Sequence, residues 1–324
     1  MINRISRPGI SRLILFAACF SITLLIGVQP AFSQTQTGDT WAKVKSTGKG
    51  EISVVWVEAS EFVFQDDEGR ITGVEGDIFS EFVKFVERKY KIDLAVNYVK
   101  APDFRTFYDG VTLSNGGVFG LGTVSVLEKR KNEVQFAPGY IRNMVVLVSG
   151  SECTELSSLQ DISEDFAGMK AVIVPGTIIE DRMKRLRDAL FPNLEFVSAT
   201  SQNEAIEMIS RSDGELFSCV DLAHFWPARQ NGMRLRRHSA GDQLKEELAT
   251  IMPVNSDWGP VIREFFEIGN GGFKANPRYR QILARHLGPG FYEMLQLAGS
   301  KQMRLDVQAV PGACQKQLVS ENQS

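Results

Sequence analysis

The chain has 324 residues, 43% of them hydrophobic, 23% charged and 10% aromatic, a balance that suits a packed globular protein and excludes disordered, collagenous and coiled-coil classes. Its length corresponds to about two domains. With 36 basic against 39 acidic residues the formal net charge is −3, which leaves no strong positive field for a nucleic-acid backbone, so no nucleic-acid partner is expected.

Residues 1–33 open with basic MINRISRPGISR, continue with the apolar run LILFAACFSITLLIGV and end at small residues. The run is about 16 residues, short of the roughly 20 that cross a bilayer as a helix, and Ala31-Phe32-Ser33 offers a small-x-small cleavage site. The pattern reads as a secretory signal, with an uncleaved anchor as the other reading. Cys19 sits inside the apolar run in a poor lipoprotein context. Removing Arg4, Arg7 and Arg12 with no acid takes the balance from −3 to −6, so the mature chain is expected to be acidic and exported to the periplasm.

Residues 34–50 are polar and rich in Gly, Ser and Thr, and read as a leader. ISVVWV at 52–57 is the first strand. Asp77 then opens a helix with Ile78, Phe79, Phe82, Phe85 and Val86 at spacings of three and four. A strand at 94–99, a helix at 103–113 ended by Asn115-Gly116-Gly117, and a strand near 118–124 complete a βαβαβ order, which implies a parallel sheet. MVVLVSG at 144–150 is a fully buried strand, and the pattern restarts after it. Strand 170–174, the turn Pro175-Gly176-Thr177, helix 178–190, strand 194–198, helix 201–211 and strand 216–220 follow. LATIMPV at 248–254 is another buried strand, followed by helices 258–268 and 277–286. These last helices have no new sheet to cover and are expected to return to the first lobe. The domains expected are lobe 1 from 51–147 and 250–288, lobe 2 from 148–249, and an irregular tail over 289–324. The fold class is α/β, two lobes of mixed sheet flanked by helices and joined by two hinge strands.

Beyond the signal, three cysteines remain. Cys219 lies in apolar LFSCV and reads as a buried small hydrophobe, whereas Cys153 and Cys314 sit in polar surroundings and are the expected disulfide in an oxidising compartment. His224, His238 and His286 are scattered without ligand-like spacing, so no metal or other cofactor is expected.

Two α/β lobes joined by a hinge place a ligand between strand ends and helix N-termini. The segment GLGTVSVLEKRKNEVQFAPGY, residues 120–140, is the most informative in the chain. Thr123 and Ser125 are two apart at a strand end, so on an extended backbone their hydroxyls point the same way. Arg130 follows at a turn. Two hydroxyls and a planar guanidinium form a carboxylate receptor. The competing reading is a solvated arginine in the run Glu128-Lys129-Arg130-Lys131.

VEASEFVFQDDEGRITGVEGDIF resembles the opening of periplasmic amino-acid-binding proteins, family 3 of the type II solute-binding proteins of ABC importers. TVSVLEKRKNEVQFAPGY resembles the Thr/Ser-x-Ser/Thr-x-Thr-x-x-Arg, Val-x-Phe-Ser-x-Pro-Tyr signature of the same family, with the spacing from Arg130 to Phe136 kept. Pro-Gly-Thr at 175–177 and the strand ending in Asp221 fall in the expected order, so the resemblance spans about residues 51–288. It implies that Thr123, Ser125 and Arg130 hold an α-carboxylate from the first lobe and that Thr177, with the N–H groups opening its helix, holds it from the second. Asp221 is implied as the acceptor of the α-amino group, with a strand-end cap as its other reading. Phe104 is implied as an apolar wall, with ordinary core as the other.

The departures also matter. Ala59-Ser60-Glu61-Phe62 replaces the family's aromatic-x-Pro-Phe platform, Leu127 replaces a Thr, and Ala137 replaces a Ser. Trp56 and Glu58, at the end of the first strand, are candidates to reshape the pocket, with Trp56 equally placed to be core. The function implied is a monomeric, non-enzymatic binding protein that closes on a small carboxylate-bearing solute, an amino acid or related compound. A membrane permease or receptor is its expected partner. The alternatives are a periplasmic sensory or accessory module acting through protein contact, and an enzyme of the same fold with Glu58 or Glu61 as general base.

Overall fold

The computed structural model describes residues 35–288 together with 290 and 291. The signal segment, Cys314 and nearly all of the C-terminal tail therefore lie outside the described residues. The Cys153–Cys314 pairing does too; Cys153 Sγ itself rests 3.8 Å from the carbonyl oxygen of Gly214.

Of the segment 34–50, expected as a leader, the described residues 35–50 are instead part of the folded structure. Strand β1 (Thr37–Gly38) is followed by helix α1 (Trp41–Thr47), whose N-cap Thr40 accepts from Lys43 N. Asp257 accepts from the first-turn amides of Trp41 and Ala42 at 2.8 and 3.0 Å, and the Trp41 ring meets those of Tyr90 and Trp258. Polar composition concealed this segment, because two partner residues more than 200 positions away supply its order.

The first lobe is built on β2 (Lys49–Trp56), the short hairpin β3 (Phe64–Gln65) and β4 (Ile71–Thr72), α2 (Val74–Tyr90), β5 (Asp93–Lys100), α3 (Phe104–Thr112), β6 (Asn115–Gly116), β7 (Val118–Ser125), β8 (Val134–Phe136) and the start of β9 (Ile141–Gly150). Helix α2 buries Ile78, Phe79, Phe82, Phe85 and Val86, the stripe predicted from their spacing. It starts at Gly73, whose φ is 104° and whose missing Cβ leaves room for the Phe62 carbonyl carbon, 2.4 Å from where that atom would lie. The second lobe uses α4 (Ile162–Asp165), β10 (Lys170–Ile173), α5 (Ile178–Leu190), β11 (Phe196–Ser198), α6 (Gln202–Ser210), β12 (Leu216–Asp221) and α7 (Leu222–Gln230). Strand β13 (Leu235–Pro253), α8 (Gly259–Glu267) and α9 (Pro277–Leu287) complete the described chain.

The main sheet runs β11-β10-β12-β9-β13-β7-β2-β5, with β8 beside β13. On each side the outer strands are parallel, as βαβ crossovers require, and β9 and β13 are antiparallel partners in the middle. These two strands cross between the lobes. Their pairing shifts register between His238 and Gln243 and again between Leu244 and Glu247.

Two elements differ from expectation. β13 begins at Leu235 rather than 248, because the stretch before Leu248 is polar and its strand state is fixed by pairing with β9, not by an apolar pattern. Helix α7 carries Pro227 and shows no helical period, yet buries Leu222, Ala223, His224 and Phe225. Among the described residues, no helix is long and apolar enough to cross a membrane.

Candidate functional site

A cavity of about 40 Å³ lies between the lobes, at the C-terminal ends of β2, β7, β10 and β12. Thr123, Ser125, Arg130, Thr177, Asp221 and Phe104 all line it. Trp56 does not; it is 3% exposed within the first-lobe core, with Lys100 Nζ 5.0 Å from its ring centre. The competing core reading of Trp56 is the one its position fits, since an inward strand side chain in an all-apolar run faces the helix layer. Of the two glutamates considered as bases, Glu58 lines the cavity and pairs with Lys100, and Glu61 lies outside it. A larger groove, about 320 Å³, opens beside Pro138, Glu247, Arg263 and Lys274, but Glu247 and Lys274 already pair there at 3.4 Å.

Arg130 is 7% exposed, which sets aside the solvated-arginine reading. Its guanidinium carbon sits 5.7 Å from the Phe104 ring centre and 5.2 Å from that of Tyr108, the two rings being stacked on each other, and Tyr108 is held by its hydroxyl donating to Glu133. Phe104 thus aims the arginine as well as walling the cavity. Across the cleft, Arg130 Nη2 donates to the Gly176 carbonyl at 3.3 Å, and Lys129 pairs with Asp181 at 2.6 Å.

The second-lobe wall is made of three helix N-termini. Thr177, Ser201 and Asp221 are the N-caps of α5, α6 and α7. Ser201 caps its helix in the ordinary way, accepting from Glu204 N. Thr177 turns its hydroxyl back to the Val174 carbonyl at 2.6 Å, so no side chain caps α5, and an anion at that helix start gains from its partial positive charge. Asp221 is 2% exposed and held on both sides, accepting from Asn143 Nδ2 and Gln202 Nε2 at 2.6 Å each, while its own N–H donates to Gln202 Oε1. Burial raises its pKa, opposed by these hydrogen bonds and by the charge of Arg182.

Sequence reasoning missed His224. It lines the cavity at 2% exposure, its Nδ1 lies 3.1 Å from Asn203 Oδ1, and its ring faces Phe62. A carbonyl oxygen only accepts, so Nδ1 carries the proton and Nε2 is a bare acceptor with no partner among the described residues. Burial pulls its pKa down to about 4, so the ring is neutral near pH 7. No sequence signal marked it, since it lies on the helix that Pro227 hid.

Glu75 was also missed. It is fully buried in the first turn of α2, and its Oε2 accepts from the N–H groups of Gly122 and Thr123 at 3.0 Å each and from Tyr140 Oη at 3.1 Å; Oε1 accepts from Thr250 Oγ1 at 2.9 Å. Desolvation pushes its pKa up to about 7 against those four donors. Thr123 itself has φ of 54°, left-handed for a β-branched residue, at a point where β7 and β13 lose register. The extended backbone expected there is therefore a bulge, and Thr123 Oγ1 donates to the Gly122 carbonyl.

No protein-family model matches the sequence, and no curated protein matches it. Solved structures do resemble the fold. A substrate-binding protein of an ABC uptake transporter from Streptococcus pneumoniae, with bound histidine, aligns with a TM-score of 0.60 at 18% identity over 77% of this chain and 96% of that one. The arginine-, lysine-, histidine-binding protein ArtJ from Geobacillus stearothermophilus aligns with a TM-score of 0.56 at 15% identity, covering 73% and 95% of the two chains. The GluR0 ligand-binding core from Nostoc punctiforme, in complex with L-glutamate, gives 0.58 at 12%, covering 74% and 100%. The chain thus has the type II periplasmic-binding-protein fold, the fold of amino-acid-binding proteins of ABC importers.

Proposed function

We propose that the protein is an exported solute-binding protein that closes on a small α-amino acid or related zwitterion and delivers it to a membrane transporter. The observation that carries this reading is the burial of opposite charges, Arg130 and Asp221, in one cleft whose remaining polar lining consists largely of hydroxyls and helix N-termini. Arg130, Thr123, Ser125 and the start of α5 with Thr177 hold the carboxylate, Asp221 takes the ammonium group, and Phe104 is the wall. Lobe 1 comprises 51–147 and 250–288, lobe 2 comprises 148–249, and β9 and β13 form the hinge. Residues 1–33 are the export signal. At about 40 Å³ the cavity holds a few waters rather than an amino acid, so binding requires the lobes to part and re-close on the ligand.

The known ligands of structures with this fold, histidine and glutamate among them, support the same chemistry. A thermal-shift screen of the proteinogenic amino acids, simple amines and small carboxylates tests it. A ligand present at 100 times its dissociation constant stabilises the fold by about 2.7 kcal/mol. Stabilisation by zwitterions alone supports the reading; stabilisation by none of the three groups overturns it and favours an accessory module that acts through protein contact.

A further inference from the structure

Glu75 is a buried acid that takes no part in the cleft contacts assigned above, yet it binds the segment that does. Its carboxylate gathers donors from three separate places: the bulge at Gly122 and Thr123, Tyr140 just ahead of hinge strand β9, and Thr250 within hinge strand β13. A left-handed backbone at a β-branched residue is strained and persists only where its surroundings hold it. The two amide hydrogen bonds from Gly122 and Thr123 are that restraint. We propose that Glu75 is the positioning residue of the carboxylate-binding corner, fixing Thr123 and tying it to both hinge strands, and that gain of a proton by Glu75 loosens the corner and weakens ligand binding. This rests on the assignment of Thr123 to the ligand site.

The arrangement dictates where that proton goes. Oε2 already accepts three hydrogen bonds, two of them from backbone N–H groups that cannot reverse, whereas Oε1 accepts one from a hydroxyl that can rotate and accept instead. The proton therefore sits on Oε1, and the amide bonds to Oε2 survive but lose their charge assistance. The other titratable groups around Glu75 do not compete. Tyr140 has its pKa raised well above 10 and stays a donor; behind it Tyr279 of α9 donates to the Tyr140 carbonyl at 2.7 Å. Asp77, two residues along α2, is engaged by His286 and Arg285 of α9 at 3.0 and 3.5 Å, and Asp221 of β12 is held by Asn143 and Gln202.

The test follows the amide proton resonances of Gly122 and Thr123 with pH in the full-length protein, in wild type, Glu75→Gln and Thr250→Val. Gln keeps an acceptor for the amides and a donor toward Thr250, so it mimics the protonated acid. In wild type both resonances should move downfield as pH rises through about 7, and in Glu75→Gln they should stay at the low-pH position. In parallel, a mixture of the proteinogenic L-amino acids is the thermal-shift probe. Wild type should bind at least threefold more weakly at pH 6 than at pH 8, and Glu75→Gln should bind weakly and equally at both. Thr250→Val, which leaves the amide bonds in place but removes a donor to the charged carboxylate, should raise the midpoint of the wild-type transition. Amide resonances that ignore pH in wild type, or that titrate equally in Glu75→Gln, overturn the proposal. If the resonances behave as expected and the amino-acid mixture has no effect on wild type at either pH, the ligand reading falls while the restraint on Thr123 stands.

Discussion

The guanidinium of Arg130 reaches across the cleft to the carbonyl oxygen of Gly176, 3.3 Å away, so the group assigned to the ligand carboxylate also joins the two lobes. In the proposed complex, its removal leaves the ligand carboxylate unpaired. Arg130→Ala should weaken ligand binding by about 2–5 kcal/mol in isothermal titration. Arg130→Lys keeps the charge but loses the planar fork stacked over Phe104 and Tyr108, and should fall between the two. A loss of less than threefold for the alanine variant would remove Arg130 from the site.

The neighbouring pair, Lys129 and Asp181, should behave differently. Both side chains are largely open to solvent, at 64% and 38% exposure, so the bridge contributes about 0–1 kcal/mol to closure and is screened by salt. Lys129→Ala should change affinity by less than about fivefold at low salt and negligibly at high salt. A large, salt-independent loss would mean that Lys129 touches the ligand.

Asp221→Asn preserves shape and removes the charge that the ammonium group requires. Affinity for zwitterions should fall by at least tenfold, while a carboxylate lacking an amine should lose little or nothing. Equal losses for both probes would assign Asp221 to holding Asn143 and Gln202 rather than the ligand.

Glu75 makes a separate prediction about stability. Its pKa rises from 4.5 in the unfolded chain to about 7 in the folded one, so between those values the native state holds a proton that the unfolded state has released. The contribution of this group to stability is greatest below pH 4.5 and declines as pH rises, by about 3 kcal/mol once above 7. Glu75→Gln removes that slope, so urea denaturation should show it gaining on wild type between pH 5 and pH 8. A difference independent of pH would place the folded pKa near its ordinary value. The deprotonated acid thus costs global stability while holding Thr123 more firmly.

The alternating α/β order, the extent of α5, α6, α8 and α9, and the buried stripe of α2 were legible because helices and strands are written in local spacing, as with Ile78, Phe79, Phe82, Phe85 and Val86. Segments without such spacing were misread: α1 looked like a leader, α7 was hidden by Pro227, and the first half of β13 lacked an apolar pattern. Trp56 shows the limit for single residues. A tryptophan in VVWV has no sequence mark that separates core from cleft, and only the packing of β2 against its neighbours decided for the core.

By itself, the sequence determined that two α/β units run in tandem and that Thr123, Ser125 and Arg130 lie on one strand end and the turn after it, because all of that information lies within a few residues of chain. Tertiary structure decided which distant groups complete the cleft. Glu75 meets Thr123 across 48 positions and Thr250 across 175, and Asp221 meets Asn143 across 78. A carboxylate's partners depend on where strands and helices end in space, and no local period encodes that.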